Sequence, residues 1–132
     1  MILDTNAYSA LANGVQSIAD AVGSSKNLEL PLPVVAELRY GFAKDSRRQQ
    51  NEETLQRFLA QPQVSILCPS LETTNYYANI QLLCLRKGRA LSHNDIWIAS
   101  LACETNGKLV TYDKDFSILA DLLGDNLLVL EV

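Results

Sequence analysis

The 132-residue chain has a single histidine, His93, and three cysteines, Cys68, Cys84 and Cys103, widely spaced with no C-x-x-C among them. An odd, scattered set argues against a disulfide framework and against a zinc site. The cysteines are expected to be small core residues in a reducing cytoplasm. No apolar run approaches the length that spans a bilayer, so no membrane partner is expected. MILDTN lacks a basic start followed by a long apolar stretch and does not read as a signal peptide. There is no internal repeat, linker or low-complexity tract. The chain is 48% hydrophobic and 20% charged. That is enough apolar material for a core and an ordinary charge content, so residues 1–132 are expected to form a single domain.

Short apolar runs alternate with helical patterns. MIL, LELPL, VSILC, KLVT and NLLVLEV read as strands. Pro31 within LELPL suggests an irregular or edge position. TNAYSALANG reads as a helix that Thr5 or Asn6 could cap and Gly14 could end. VQSIADAVGSS reads as a second helix, stopped by Gly23 and two serines. Pro33 suits the first position of a third, whose Val34, Leu38 and Phe42 form one apolar stripe. Lys44 to Asn51 is almost wholly polar, a turn or an exposed helix start. Leu55, Phe58 and Leu59 give the following helix its apolar face, and Pro62 marks its end. Ser70 with Thr73 opens a long helix to about Lys87, with Tyr76, Ile80 and Leu83 on one face, ended by Gly88. Ser92 and Asp95 form a capping-box-like start for a nearly all-apolar, buried helix, ended by Asn106 and Gly107. Phe116 to Leu123 reads as a short helix. The alternation predicts an α/β fold with a mainly parallel central sheet and helices on both faces.

Charge is unevenly spread. The net charge is −4, which alone argues against a nucleic-acid partner. Positions 39 to 89, however, hold Arg39, Lys44, Arg47, Arg48, Arg57, Arg86, Lys87 and Arg89 against four acids. That stretch is net positive and the remainder strongly acidic. Such asymmetry can serve a polyanion beside an acidic centre, and it fits solvated helix faces as well.

Four acids occupy the strand-to-helix transitions: Asp4 in MILDTN, Glu37 in PVVAELRYG, Asp95 in SHNDIWIAS and Asp113 in LVTYDKDF. Asp4 and Asp113 follow their strands, and Glu37 and Asp95 are expected in the first turns of helices. In a parallel sheet all four can reach the crevice beyond the carboxyl ends of the strands, where ligands bind. Singly, each has a plainer reading: a helix cap, a capping-box member, an exposed helix residue, a turn. Jointly, a set of carboxylates with no basic partner is strained unless a divalent cation neutralises it. Oxygen-only ligands suit Mg²⁺ or Mn²⁺. His93 reads as an exposed loop or cap residue rather than a ligand. With no Ser–His or Cys–His pair supported, the expected nucleophile is a metal-activated water, on one metal or two. Thr5, Asn6 and Thr111 are short polar residues that could hold a carboxylate in its ligating rotamer, or serve as caps and a strand end.

These segments, in this order, resemble the PIN-domain ribonucleases, and among them the VapC-type toxins of bacterial type II toxin–antitoxin pairs. The resemblance spans essentially the whole chain. It implies a sheet of about five mostly parallel strands between helices, and magnesium-dependent endonucleolytic cleavage of RNA, with manganese as a substitute. It matches Asp4, Glu37 and Asp95 to the family's characteristic acids and Asp113 to a more variable fourth, a role that Asp115 could share or replace. It also implies a homodimer restrained by a small cognate antitoxin. Leu55, Phe58 and Leu59 could line the antitoxin's groove or merely pack on the core. Arg39, Arg47, Arg48, Arg86, Lys87 and Arg89 are the expected RNA contacts. Two alternatives remain open: a housekeeping PIN nuclease in RNA maturation, and a non-catalytic RNA-binding or receiver-like α/β domain. A receiver would need paired acids after its first strand, and Asp4 lies between Leu3 and Thr5.

Overall fold

The computed structural model describes residues 1–23 and 25–132. Ser24, read above as part of the stop after the second helix, lies outside the described residues. In chain order the elements are β1 (Ile2–Leu3), α1 (Thr5–Ala12), α2 (Gln16–Val22), β2 (Leu28–Pro31), α3 (Leu32–Ala43), α4 (Arg48–Leu59), β3 (Val64–Leu67), α5 (Thr73–Lys87), α6 (His93–Thr105) and β4 (Leu109–Thr111). A 3₁₀ segment (Lys114–Leu119), α7 (Ala120–Leu123), a second 3₁₀ turn (Gly124–Asn126) and β5 (Leu127–Val129) complete the order.

All five strands join one parallel sheet in the order β3-β2-β1-β4-β5. The chain runs outward from β1 to β3, then crosses back to β4. Right-handed crossovers therefore put the helices before β3 on one face and those after it on the other. The reversal falls between β1 and β4, which pair Ile2 with Leu109 and Leu3 with Val110. This is the switch point, the place where open parallel sheets of this kind bind their ligands.

Burial follows from the layering. Both residues of β1 and all three of β4 are buried, as expected for strands covered on two faces. The edge strand β3 leaves Ser65 and Ile66 exposed. Ile2, Leu3, Leu30, Leu109 and Val110 of the sheet pack with Ile18, Val34, Leu55, Ile80, Ile96 and Phe116 into one core.

Several expectations need correction. Pro31 is not at an edge: β2 lies between β1 and β3, and Pro31 is its last residue, opposite Leu67. Ending the strand and preceding Leu32, it is placed where a missing N–H interrupts little of the ladder. The third helix begins at Leu32, so Pro33 is its second residue. Asp4, not Thr5 or Asn6, caps α1. The region 116–123 is not one helix: residues 116–119 close a 3₁₀ segment, and only Ala120–Leu123 is α-helical. Among the cysteines Cys84 is buried and Cys103 half-buried, but Cys68 is exposed.

Candidate active site

The site is built where β1 and β4 end. Asp4 follows β1 and is buried. Its Oδ1 accepts from the Ala7 backbone N–H at 2.9 Å, which caps α1. Its Oδ2 accepts from the Thr111 hydroxyl, at the end of β4. One carboxylate thus joins the two strands at the switch point. Thr111 Oγ1 also accepts from the Asp113 N–H at 2.9 Å. Asp113 Oδ1 in turn accepts from the Asp115 N–H at 2.9 Å, capping the 3₁₀ segment.

The other two acids come from helices. Asp95 is the third residue of α6, and its N–H donates to the Ser92 hydroxyl at 3.1 Å. Glu37 lies in the second turn of α3, not the first as expected. Its Oε1 accepts from the Asn94 side-chain amide at 2.9 Å. This bond ties α3 to α6 where the two helices meet.

The four acids lie within each other's fields. Burial, above all, raises the Asp4 carboxyl above its ordinary range, and Asp113 and Glu37 add to the rise. The hydrogen bonds from Thr111 and Ala7 oppose it. Asp95 is pushed up to about 6, first by burial and then by Asp113, Glu37 and Asp4, against the opposing bond with Ser92. Asp115 stands exposed, and its backbone rather than its carboxylate enters the network. Every hydrogen bond to the four carboxylates among the described residues comes from a neutral donor. The nearest cation in sequence to Glu37, Arg39, is turned to Glu52 on α4 at 3.0 Å.

Of the three polar neighbours, Thr111 is fully buried and holds Asp4. Asn6 is exposed. Thr5 Oγ1 is the one buried side-chain polar atom without a hydrogen-bond partner among the described residues. A buried hydroxyl without a partner is costly, and next to Asp4 it suits a site that binds a polar ligand. The donor set as a whole is oxygen-only and negatively charged, the chemistry of a hard divalent cation. No group of three or more His, Cys, Asp or Glu side chains among the described residues is drawn close enough to share one ion.

A family model described as the PIN domain matches residues 1–122. The chain belongs to the PIN domain family. Ribonuclease VapC2 of Rickettsia felis is 29% identical over 130 residues, which is 95% of this chain and 96% of the relative. The crystal structure of VapBC2 from Rickettsia felis bound to a promoter DNA fragment contains a chain 28% identical, with a TM-score of 0.79 over 98% of this chain and 96% of that one. VapBC-1 from nontypeable Haemophilus influenzae superposes equally well, at a TM-score of 0.79 and 24% identity over 98% and 96% of the two chains, a likeness of fold alone. No described helix is long and apolar enough to cross a membrane.

Around this PIN-domain site the expected basic residues fare differently. Arg39 is occupied by Glu52. Lys87 donates to the Ile118 carbonyl at 2.6 Å, fastening α5 to the 3₁₀ segment. Arg47 precedes α4 and Arg48 begins it, and Arg86 and Arg89 flank the end of α5, all four exposed. His93 is exposed as expected and meets the Tyr77 hydroxyl at 2.7 Å through Nδ1. Leu55 is fully buried and so lines no groove, whereas Phe58 packs edge-on to Tyr8 with ring centres 5.2 Å apart. Sequence reasoning missed Asn94. Its only signal was its place directly before Asp95.

Proposed function

We propose that this PIN domain, residues 1–132, is an endoribonuclease dependent on Mg²⁺ or Mn²⁺, and the toxin of a toxin–antitoxin pair. The observation that carries the reading is that Asp4, Glu37, Asp95 and Asp113 lie within each other's fields, with only neutral donors on their carboxylates among the described residues. The likeness to Ribonuclease VapC2 supports RNA as substrate, and the likeness to VapBC complexes supports a small antitoxin as partner. A cytoplasmic homodimer rests on the family resemblance, and light scattering of the purified chain tests the dimer.

Asp4, Asp95, Glu37 and Asp113 would hold the ion. A bound divalent cation would activate the attacking water and offset charge on the phosphoryl oxygens. The chain's own part is orientation. Thr111 and the α1 N-terminus fix Asp4, Ser92 fixes the start of α6, and the Asp115 N–H fixes Asp113. The orphan Thr5 hydroxyl offers one more polar contact beside Asp4. Asp115, exposed, is the weaker candidate for the fourth acid.

The test is incubation of total RNA with the purified chain and magnesium, followed by sequencing of cleavage ends. Cutting at defined positions is expected, with loss in excess chelator and return with manganese. Asp4→Asn should lower the rate by at least about 100-fold, the scale of losing one electrostatic partner of a transition state. Full activity in chelator after verified metal removal refutes the reading.

A further inference from the structure

Glu37 is anchored unlike the other three acids. Asp4 is buried between two strand ends, Asp95 follows its cap and Asp113 caps a turn. Glu37 sits mid-helix on a longer, more flexible side chain. Its carboxylate makes one hydrogen bond among the described residues, from the Asn94 amide at 2.9 Å, across 57 positions of sequence. Both partners are partly buried, and Asn94 is adjacent to Asp95 on α6.

We infer that Asn94 is a positioning residue: its side-chain amide fixes the Glu37 carboxylate as an anionic oxygen ligand facing Asp95. The inference rests on the metal-dependent reading above and deepens it. The residue type fits the task. An amide orients a carboxylate without cancelling its charge, whereas a lysine here would form an ion pair and compete with a cation. An aspartate would add a fifth negative charge to the cluster. Only Oε1 is engaged, so Oε2 keeps its lone pairs for another partner. Because Asn94 precedes Asp95 on the same first helical turn, the bond also sets the spacing between α3 and α6, and so between two of the acids.

The experiment is calorimetric titration of the metal-free full chain with Mn²⁺, without RNA. The proteins are wild type, Asn94→Ala, Asn94→Leu, Glu37→Gln and the Asn94→Ala/Glu37→Gln double variant. Asn94→Leu keeps the volume and removes the donor, which guards against a loss due to the cavity alone. Circular dichroism melts confirm that each variant is folded. Loss of a residue that orients a ligand costs about 10–100-fold in metal affinity. Both Asn94 variants should weaken Mn²⁺ binding by about 10-fold. In the Glu37→Gln background the Asn94→Ala change should add nothing, because the effect passes through Glu37. Wild-type affinity in either folded Asn94 variant overturns the inference while leaving the nuclease reading intact. Equal, additive losses in the Glu37→Gln background overturn it too. Absence of Mn²⁺ binding by wild type overturns both.

Discussion

Asp95 carries a charge that its own fold disfavours. Its carboxyl is pushed up from 3.8 to about 6 by burial and by the neighbouring acids. Between those two pH values the folded state therefore binds more protons than the unfolded one. The metal-free fold loses stability as pH rises through that window, and the loss is complete above it. A rise from 3.8 to about 6 corresponds to roughly 3 kcal/mol. Partial exposure screens this, and the favourable place of an acid at a helix start, worth about 0.3–1 kcal/mol, opposes it. We expect Asp95→Asn to stabilise the metal-free chain by about 1–2 kcal/mol at pH 8 and by little at pH 4, as read by urea unfolding at both pH values. An equal gain at the two would mean that the carboxylate's charge is not the cause. The same variant should lose RNA cleavage. The places of Asp4, Asp95 and Asp113 were legible because strand ends and helix starts are marked by short local patterns, whereas Glu37 falls a turn later in its helix than expected. Asn94 was not, since its partner lies in another helix and no local rule links the two.

At the scale of elements, the same local rules explain both the successes and the errors. The α6 start follows from the S-x-x-D pattern, and the Ser92 hydroxyl does accept from the Asp95 N–H. Gly88 and Asn106 end α5 and α6 in left-handed conformation, as helix-stop chemistry requires. Pro31 was misjudged because strand order is not a local property: the same residue is compatible with an edge strand or with the last position of an inner one. The α7 region was misjudged because its apolar spacing cannot separate a 3₁₀ turn from an α-helix of one turn. Gly107, read only as a helix stop, has a second role. A Cβ there would stand 2.7 Å from Cδ1 of the buried Ile2 on β1. Gly107→Ala should therefore destabilise the chain by about 1–3 kcal/mol, the cost of overpacking. Pairing it with Ile2→Val, which removes the clashing methyl, should restore part of the loss. A wild-type urea midpoint for Gly107→Ala would show that Ile2 has room to turn.

At the scale of the whole molecule, the proposed function requires an acidic centre to receive a polyanion while the chain itself carries −4. Uniform attraction cannot do this, so approach depends on where the cations stand and whether they are free. The sequence located the basic stretch but could not say which cations were already committed, because the partners are distant in the chain. Arg39 is bound to Glu52 and Lys87 to the Ile118 carbonyl. Arg86 and Arg89 remain exposed at the end of α5, six to nine positions before Asp95. They are the stronger candidates for guiding a phosphate chain. Their simpler role, favouring the α5 dipole, would stabilise the helix without touching RNA. Salt dependence separates the two. Each phosphate contact on a single strand adds about 0.7 to the slope of log affinity against log salt. Arg86→Gln with Arg89→Gln should therefore flatten that slope by up to about 1.4 for an inactive Asp4→Asn chain binding RNA by fluorescence anisotropy. Lys87→Gln should change the melting temperature more than the slope, because its amine is spent on the backbone. An unchanged slope in the double variant would move the track to Arg47 and Arg48 at the start of α4.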